Sequence, residues 1–278
     1  METAITINEI RALREGLPVP VGLVPTMGYL HEGHLSLVRR ARAECASVIV
    51  SIFVNPTQFS PQEDLDAYPR DLTRDLRLLE EVGTDLVWMP TPEIMYPPGY
   101  QTWVNVEDLT KLLEGARRPT HFRGVTTVVA KLMNNVRPQK AYFGQKDAQQ
   151  AIVIQRMVKD LDFPLEVVIC PIIREMDGLA MSSRNVYLTP QERQAATVLY
   201  RALQTAQKAY ESGEREAVAQ RKLVEDVVHS EPLASLQYVS CADPGTLQEL
   251  SGSVEHGLLS MAVFFGKTRL IDNIVLGD

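Results

Sequence analysis

His31 and His34, in the segment Pro-Thr-Met-Gly-Tyr-Leu-His-Glu-Gly-His at residues 25–34, form the most chemically specific pattern of this sequence. The segment lies between the apolar run at residues 21–24 and an amphipathic helical pattern, which indicates a strand-to-helix turn. Residues three apart share a face of a helix, and the N–H groups of its first turn carry partial positive charge. The pair therefore favours a polyphosphate ligand over a metal or a proton relay alone. The simpler alternative is two ordinary histidines at the start of a helix.

Three further polar groups follow strand-like apolar runs in the same way. They are Asn-Pro-Thr-Gln-Phe at residues 55–59, Gly-Gln-Lys-Asp-Ala-Gln-Gln at 144–150, and Arg174 with Met-Ser-Ser-Arg-Asn at 181–185. Open α/β sheets bind ligands beyond the carboxyl ends of their strands, at a switch in strand order. Four such groups in one chain favour one ligand cleft.

Gln58 and Gln150 indicate a second ligand in this cleft. A neutral amide donates and accepts hydrogen bonds, which suits a small substrate that carries both a hydroxyl group and a carboxylate. Asn55, in the same segment as Gln58, is also neutral. The alternative is that these glutamines are plain surface amides.

Charged and hydroxyl side chains complete the candidate phosphate site. Lys146 offers a cation for a phosphate, and Asp147 an acid for a ribose or a magnesium-bound water. Ser182, Ser183 and Arg184 place two hydroxyls before a guanidinium, which suits a phosphate clamp. The alternatives are a solvated lysine, an aspartate that caps a helix, and a polar interdomain linker.

The order of elements predicts an α/β fold. Runs rich in Val, Ile and Leu predict buried parallel strands at residues 21–24, 47–54, 85–89, 102–106, 140–143 and 165–173. Helical spacing of apolar residues predicts helices at 33–45, 69–82, 124–136 and 147–161. This alternation is typical of an open sheet with right-handed crossovers. Residues 60–74 are predicted to be either a lid or a solvated connection.

The pattern changes near residues 176–190, where a second domain is predicted to begin. Thr189 is a candidate N-cap and Pro190 occupies the first turn of a helix that runs to about residue 210. A second helix is predicted at 215–230 and strands at 236–241, 259–265 and 270–276. We therefore predict a larger domain at residues 1–176 and a smaller α+β domain at 177–278.

Composition limits the classes of function. The chain has 278 residues, 45% of them hydrophobic and 23% charged, which is ordinary for a globular enzyme. Its net charge of −7 argues against nucleic-acid binding, because such proteins usually carry a basic surface. ATP is not excluded, since a few local cations can neutralise its phosphates.

The cysteines and the N-terminus favour a cytoplasmic protein. Cys45, Cys170 and Cys241 are widely separated and form no CxxC or Cys/His cluster, so neither a disulfide framework nor a zinc site is predicted. No secretory pattern and no apolar run long enough to span a membrane is visible. We predict a cytoplasmic protein with no metal centre of its own and no membrane partner.

The motifs together resemble those of the pantoate–β-alanine ligase (pantothenate synthetase) family. They are Pro-Thr-Met-Gly-x-Leu-His-x-Gly-His, Ser-Ile-Phe-Val-Asn-Pro-x-Gln-Phe, Asp-Leu-x-x-Tyr-Pro-Arg, Phe-Gly-x-Lys-Asp-x-Gln-Gln and Asp-Gly-Leu-Ala-Met-Ser-Ser-Arg-Asn. The resemblance covers essentially the whole chain and is densest at residues 24–187. His-x-Gly-His alone marks the wider nucleotidyltransferase superfamily, whereas the second and fifth motifs narrow it to this family.

The resemblance implies a Rossmann-like domain, a smaller C-terminal lid domain and a homodimer. It implies an ATP- and Mg²⁺-dependent ligation in two steps. Pantoate first attacks the α-phosphorus of ATP to give pantoyl adenylate and pyrophosphate. The amine of β-alanine then displaces AMP to give pantothenate.

The resemblance also assigns site residues. Those implied to bind ATP are Met27, Gly28, Tyr29, Leu30, His31, Glu32, Gly33, His34, Gly144, Gln145, Lys146, Asp147, Ile173, Met181, Ser182, Ser183 and Arg184. His34, His31 and Lys146 are the candidate catalytic residues among them. Gln58, Gln150 and Asn55 are assigned to pantoate and β-alanine.

The chain departs from the family pattern at two positions. Members often have Glu where this chain has Gln145 and an aromatic residue where it has Ala148. Gln145 leaves a charge-based role at its position open, although a backbone contact with the nucleotide is compatible with either residue.

Two other functions remain as alternatives. An adenylyl transferase with a phosphate acceptor would need more cations in the acceptor pocket than Asn55, Gln58 and Gln150 provide. A nucleotide-sensing or RNA-binding module is disfavoured by the net charge of −7.

Overall fold

The computed structural model describes residues 1–59, 65 and 67–277. The chain forms two compact units: Met1–Gly144 with Gln150–Pro171, and Gln145–Gln149 with Ile172–Asp278. The division at residue 176, with the C-terminal part as a lid, stays a prediction. The lid or connection predicted at residues 60–74 lies partly outside the described residues, because 60–64 and 66 are not among them.

A six-stranded, fully parallel sheet organises the first unit and confirms the predicted α/β class. Its strands are β1 (Glu2–Ala4), β2 (Val21–Thr26), β3 (Ser47–Ile52), β4 (Leu86–Trp88), β5 (Lys140–Gly144) and β6 (Glu166–Cys170). Most residues of β2 and β3 are buried, as expected for strands covered on both faces.

Helices cover both faces of this sheet. They are α1 (Ile7–Glu15), α2 (Glu32–Glu44), α3 (Leu72–Glu81), α4 (Pro92–Met95), α5 (Leu113–Arg117), α6 (His121–Val136) and α7 (Ala148–Asp160). Ile49 of β3 packs in one apolar cluster with residues of α1, α6 and α7. Val48 and Val50 pack in another with residues of α2 and α3. Adjacent strand residues thus serve opposite faces.

The strand order β1-β4-β3-β2-β5-β6 places β2 at the switch point. From β2 the chain builds outward through β3 and β4, and it later returns to add β5 on the other side of β2. Ligands of such sheets bind where the order reverses. The segment that follows β2 contains His31 and His34, so the fold places the sequence's most specific motif at this point.

One strand prediction was wrong, and another was wrong in part. Residues 102–106 form no strand. Two threonines of α6 bind the backbone of this segment where a neighbouring strand would. Thr127 Oγ1 accepts the Val104 N–H (3.0 Å), and Thr126 Oγ1 donates to the Val104 carbonyl (2.7 Å). The strand predicted at 165–173 ends at Cys170. The elements β1 and α1 were not predicted.

The second unit is a small α+β arrangement. Its helices are α8 (Pro190–Ala195), α9 (Val198–Glu211) and α10 (Ala217–His229), and its antiparallel strands, in the order β7-β8-β9, are β7 (Ala234–Ala242), β8 (Gly257–Phe265) and β9 (Thr268–Leu276). Thr189 caps α8 in a reciprocal capping box with Glu192, which confirms the predicted helix start. The long helix predicted after it is divided between α8 and α9.

Within the part of the chain that the structure describes, every helix is too short or too polar to cross a bilayer. Cys45, Cys170 and Cys241 are buried, free thiols. Burial raises the pKa of the Cys170 thiol and raises that of Cys241 to about 11.

Arg14 of α1 ties this helix to the end of α6. It is 9% exposed, and its guanidinium donates to the carbonyls of Val136 (2.9 Å) and Arg137 (3.2 Å). The last carbonyls of a helix lack intrahelical partners, so these two bonds satisfy groups that would otherwise be buried without one.

We expect Arg14→Met to lower the free energy of unfolding of the first unit by about 2 kcal/mol, since two charge-assisted hydrogen bonds are lost. Both tryptophans, Trp88 and Trp103, lie in this unit, so urea denaturation followed by tryptophan fluorescence measures the change. Arg11→Met, on the exposed side of α1, is the matched control and should change the value by less than about 0.5 kcal/mol. Equal losses in both variants would contradict the assignment.

Candidate active site

The segment after β2 turns sharply at Gly28 and Tyr29. Both residues have positive φ angles, +82° and +49°, and Leu30 after them is buried. A side chain at Gly28 would also lie about 3.1 Å from Ile52 and from the Asp75 carboxylate. The positive φ therefore favours glycine here, and a larger residue would also press on Ile52 and Asp75.

The Asp75 carboxylate, in α3, binds the backbone of this turn. Its two oxygens accept the backbone N–H groups of Tyr29 (2.7 Å) and Leu30 (2.8 Å), and Arg74 donates to the Leu30 carbonyl (2.9 Å). Asp75 is 1% exposed, and burial raises the pKa of its carboxyl while the two N–H groups act in the opposite direction. The carboxylate thus fixes the two residues directly ahead of His31.

His31 and His34 lie at the start of α2 with their ring centroids 4.0 Å apart. Nδ1 of His34 accepts the backbone N–H of His31 over 3.4 Å. A neutral His34 ring with Nδ1 in this role carries its proton on Nε2, so Nε2 is the nitrogen that can donate to a ligand. Both rings are half-buried, at a helix end where backbone N–H groups favour anions.

The turn after β3 is organised by Asn55. This side chain is 1% exposed; its Nδ2 donates to the Gly124 carbonyl and to Gln58 Oε1 (both 3.2 Å), and its Oδ1 accepts from Thr57 and from the Tyr96 hydroxyl (2.9 Å). The described contacts of Asn55 are made to protein, and one of them orients Gln58. Direct contact between Asn55 and a substrate stays a prediction.

Gln58 joins the segments that follow β2 and β3. Its Nε2 lies 2.9 Å from Met27 Sδ, and its backbone carbonyl accepts from His121 Nδ1 (2.9 Å) and Arg118 (3.3 Å) of the region around α6. Two of the polar groups predicted from the sequence are thus brought into direct contact within the first unit. Gln150, half-buried near the start of α7, belongs to the same unit.

Gly124 allows α6 to approach this turn. A Cβ at this position would lie 2.5 Å from the Thr57 carbonyl oxygen, a distance that real Cβ atoms do not reach. Tyr96, whose pKa is raised to about 12 by burial, completes the support through Asn55. Neither residue was predicted from the sequence, because a lone glycine or tyrosine carries no local signal of a contact so distant in the chain.

A cavity of about 310 Å³ opens beyond the carboxyl ends of β2, β3 and β4. Its lining includes Met27, Gly28 and Tyr29 as well as Arg70, Asp71 and Asp75. The backbone of the predicted nucleotide segment therefore borders an open space at the edge of the sheet where ligands of this fold class bind.

In the second unit, Asn273 of β9 holds the turn that contains Lys146. Asn273 Nδ2 donates to the carbonyls of Gln145 and Lys146 (both 3.0 Å), and its Oδ1 accepts from Gln145 Nε2 (3.0 Å). Lys146 Nζ lies 3.4 Å from Asp147 Oδ1, with 22% of the lysine side chain exposed. The Gln145 side chain thus has a neutral hydrogen-bonding role in this structure.

The segment from Ile173 to Arg184 is anchored by Asp272 in the same unit. Arg174 forms a two-point ion pair with Asp272 (2.6 and 3.0 Å), and Met181 N–H donates to the Ile173 carbonyl (3.0 Å). Burial raises the pKa of the Asp272 carboxyl and the Arg174 charge opposes that shift. Ser182 accepts from the Arg184 N–H (3.2 Å), and buried Ser183 begins a short 3-10 turn.

Comparison with known proteins places this geometry in a family. The family model described as pantoate-beta-alanine ligase matches residues 2–275. Curated proteins called pantothenate synthetase from Roseiflexus castenholzii and Herpetosiphon aurantiacus are each 59% identical to the chain; the first match covers 99% of both chains, the second 99% of this chain and all of the relative.

Solved structures give the same result. A pantothenate synthetase from Thermus thermophilus superposes with a TM-score of 0.94 at 50% identity, over 99% of both chains. A pantoate-beta-alanine ligase from Francisella tularensis, complexed with beta-gamma ATP and beta-alanine, superposes with a TM-score of 0.82 at 34% identity, over 99% of this chain and 97% of that one. Because the family model and these relatives match nearly the whole chain, the chain belongs to the pantoate–β-alanine ligase family.

Proposed function

We propose that this protein is an enzyme that joins pantoate to β-alanine in an ATP-dependent reaction, through pantoyl adenylate, and releases pyrophosphate and AMP. The observation that carries the proposal is the 2.9 Å contact between Gln58 and Met27, which joins the turn with neutral amides to the segment with the paired histidines. The family match over residues 2–275 supports it, as does the relative complexed with ATP and β-alanine.

In the first step, a carboxylate oxygen of pantoate attacks the α-phosphorus of ATP. The bond from this phosphorus to the bridging oxygen breaks, and pyrophosphate leaves with the electron pair. Such a displacement needs little covalent help, so correct positioning and stabilisation of the phosphate charge supply most of the catalysis. This agrees with a site built from amides, histidines and backbone N–H groups.

His34 and His31 act on the phosphates in this scheme. Because Nδ1 of His34 accepts the His31 backbone N–H, a neutral His34 ring carries its proton on Nε2, the nitrogen assigned here to the phosphates. Glu32 pairs with Arg39 on the same helix, so its charge is partly balanced at the phosphate end. Met27, Gly28, Tyr29, Leu30 and Gly33 contribute backbone and surface to the same nucleotide site.

Gln58 and Gln150 bind pantoate, whose hydroxyl groups and carboxylate need donors and acceptors together. Asn55 holds the turn from which Gln58 projects. In the second step, the neutral amine of β-alanine attacks the acyl carbon of pantoyl adenylate, the bond to the AMP oxygen breaks, and the amine loses a proton. Gln58 lies next to this carbon when it holds the pantoyl group.

The remaining nucleotide contacts are proposed residue by residue from the family resemblance. They are Gly144, Gln145, Lys146, Asp147, Ile173, Met181, Ser182, Ser183 and Arg184. Lys146 and Arg184 supply positive charge to the phosphates, and the others supply backbone or hydroxyl contacts.

Mg²⁺ is proposed as an ion that the phosphates of ATP bring with them. Among the described residues there is no cluster of three or more side chains that could form a protein metal site. Mg²⁺ usually keeps several waters and binds phosphates with one or two carboxylates. Asp147 is the carboxylate offered for that contact, and the ion would neutralise phosphate charge. A homodimer is proposed from the resemblance, and a cytoplasmic location from the free, widely separated cysteines.

We expect the chain to exchange labelled pyrophosphate into ATP when pantoate is present, with no need for β-alanine. The reversible first step alone produces this exchange, whereas AMP is released once β-alanine is added. Pyrophosphate exchange and AMP release are measured separately. Exchange without pantoate, or only with a phosphorylated acceptor, would replace this function by that of another adenylyl transferase.

We expect His34→Ala to slow pantoate-dependent exchange by about 100-fold or more, because a donor to the developing phosphate charge is removed. Tryptophan fluorescence in urea should show an intact first unit. His229→Ala, at an exposed position at the end of α10, is the control and should keep full activity. A single-turnover rate of adenylate formation equal to the wild type would remove His34 from the mechanism.

We expect Gly124→Ala to raise the KM for pantoate by about tenfold, since the new methyl group displaces the turn that carries Gln58. Steady-state kinetics with varied pantoate measures this change, and the KM for ATP should move less. Gly16→Ala is the control, because its Cβ would lie 3.6 Å from its nearest neighbour. Parallel increases in both KM values would argue for general loss of structure instead.

A further inference from the structure

We infer that Asn273 is a positioning residue for Lys146: its carboxamide fixes the backbone at residues 145 and 146 and so sets where the Lys146 side chain begins. The inference rests on the proposed function in one respect, namely that Lys146 contacts the phosphates of ATP. Asn273 lies more than a hundred residues from this turn in the sequence, and no motif includes it.

The orientation of the Asn273 carboxamide follows from its partners. Backbone carbonyls can only accept, so the NH₂ group must face Gln145 O and Lys146 O, each 3.0 Å away. The oxygen then faces Gln145 Nε2, which donates to it over 3.0 Å. All hydrogens of the amide are used, and three bonds converge on two consecutive residues.

Asn273 is itself held firmly. It is 3% exposed, lies in register with Ser260 of β8, and its backbone N–H donates to Asp272 Oδ1 (2.8 Å). Asp272 is 1% exposed and is bound at two points by Arg174. The β9 backbone and the neighbouring Asp272 side chain are both held by hydrogen bonds. Asn273 therefore offers the turn a fixed point of attachment.

A fixed turn matters for a lysine more than for a shorter side chain. The lysine side chain has four methylene groups between its backbone and its charged amine. Rotation about these bonds leaves the position of the charge poorly fixed. With the backbone origin anchored at two successive carbonyls and 78% of the side chain covered, that freedom is reduced. Preorganisation of this kind lowers the entropic cost of binding a phosphate.

The same geometry explains Gln145. A carboxylate at this position could not donate to Asn273 Oδ1, whereas the amide does. The chain thus uses Gln145 as the third connection between the turn and β9. No charge on this side chain is needed for that role.

The test is a double-mutant cycle with Asn273→Ala and Lys146→Ala in the full chain. The readouts are the Kd for ATP alone, by calorimetry, and the rate of pantoate-dependent pyrophosphate exchange. We expect Asn273→Ala to weaken ATP binding and to slow exchange by roughly tenfold each. In the Lys146→Ala background the same change should have less than about a twofold effect, because there is no lysine left to position. Losses that multiply in the double variant would overturn the inference.

Asn135→Ala is the matched control. Asn135 is also 3% exposed; it lies in α6 of the first unit, and its Nδ2 donates to the Lys131 carbonyl (2.7 Å), so Asn135→Ala also removes a buried amide but not one that binds the turn at residues 145 and 146. It should lower the melting temperature without changing the Kd for ATP. Equal effects of both asparagine variants on this Kd would reduce Asn273 to a residue of structural stability only.

Asn273→Asp keeps the size of the side chain and tests the case in which Asn273→Ala fails to fold. Its carboxylate would face two carbonyl oxygens, and a protonated carboxyl could donate to one of them. We therefore expect its Kd for ATP to approach the wild-type value as the pH is lowered from 8 to 5, with no such trend for Asn135→Asp. A ratio to wild type that does not change with pH would contradict the inference.

The two proposals fail separately. If Asn273→Ala weakens ATP binding as expected but pyrophosphate exchange does not depend on pantoate, the proposed reaction is refuted and the positioning role is kept. If pantoate-dependent exchange occurs and Asn273→Ala does not change it, the positioning role is refuted and the proposed reaction is kept.

Discussion

The hydrogen bonds from Tyr29 and Leu30 to Asp75 are the constraint on which the active site of the first unit depends. A tyrosine at positive φ is unfavourable by about 1 kcal/mol, and a carboxylate with 1% exposure is unfavourable as well. The hydrogen bonds offset both contributions. The two N–H groups of the turn satisfy the buried carboxylate, and the carboxylate holds the turn in its positive-φ conformation. These two hydrogen bonds therefore fix the direction in which α2 begins at the histidines.

The two units use a related solution for their turns after parallel strands. Asn55 donates to Gly124 O and to the Gln58 side chain, and Asn273 donates to two carbonyls at residues 145 and 146. In each case a buried asparagine makes several hydrogen bonds that connect one turn to another element or segment of its unit. A buried amide with complete partners is rigid, and one with incomplete partners is destabilising, so each turn has essentially one acceptable arrangement.

Local patterns predicted most of the strands and the strand-end motifs, because burial of Val and Ile runs and the start of a helix leave signals within a few residues. Residues 102–106 show the limit: the run is apolar like a strand, yet Thr126 and Thr127 supply its hydrogen bonds. Asp75, Tyr96 and Asn273 support predicted site residues from distant positions. Nothing near them in the sequence states which turn they contact, so their role required the folded chain.

The grouping of Gln145–Gln149 with Ile172–Asp278 has a consequence for modularity. The second unit is assembled from two separate stretches of chain, and between them the first unit holds Gln150–Pro171, which contains most of α7 and all of β6. A fragment obtained by one cut before Ile172 would keep β9 but lose the turn that Asn273 binds, and its carboxamide would be left without those carbonyls. The two units thus alternate along the chain, and neither can be excised as one uninterrupted segment.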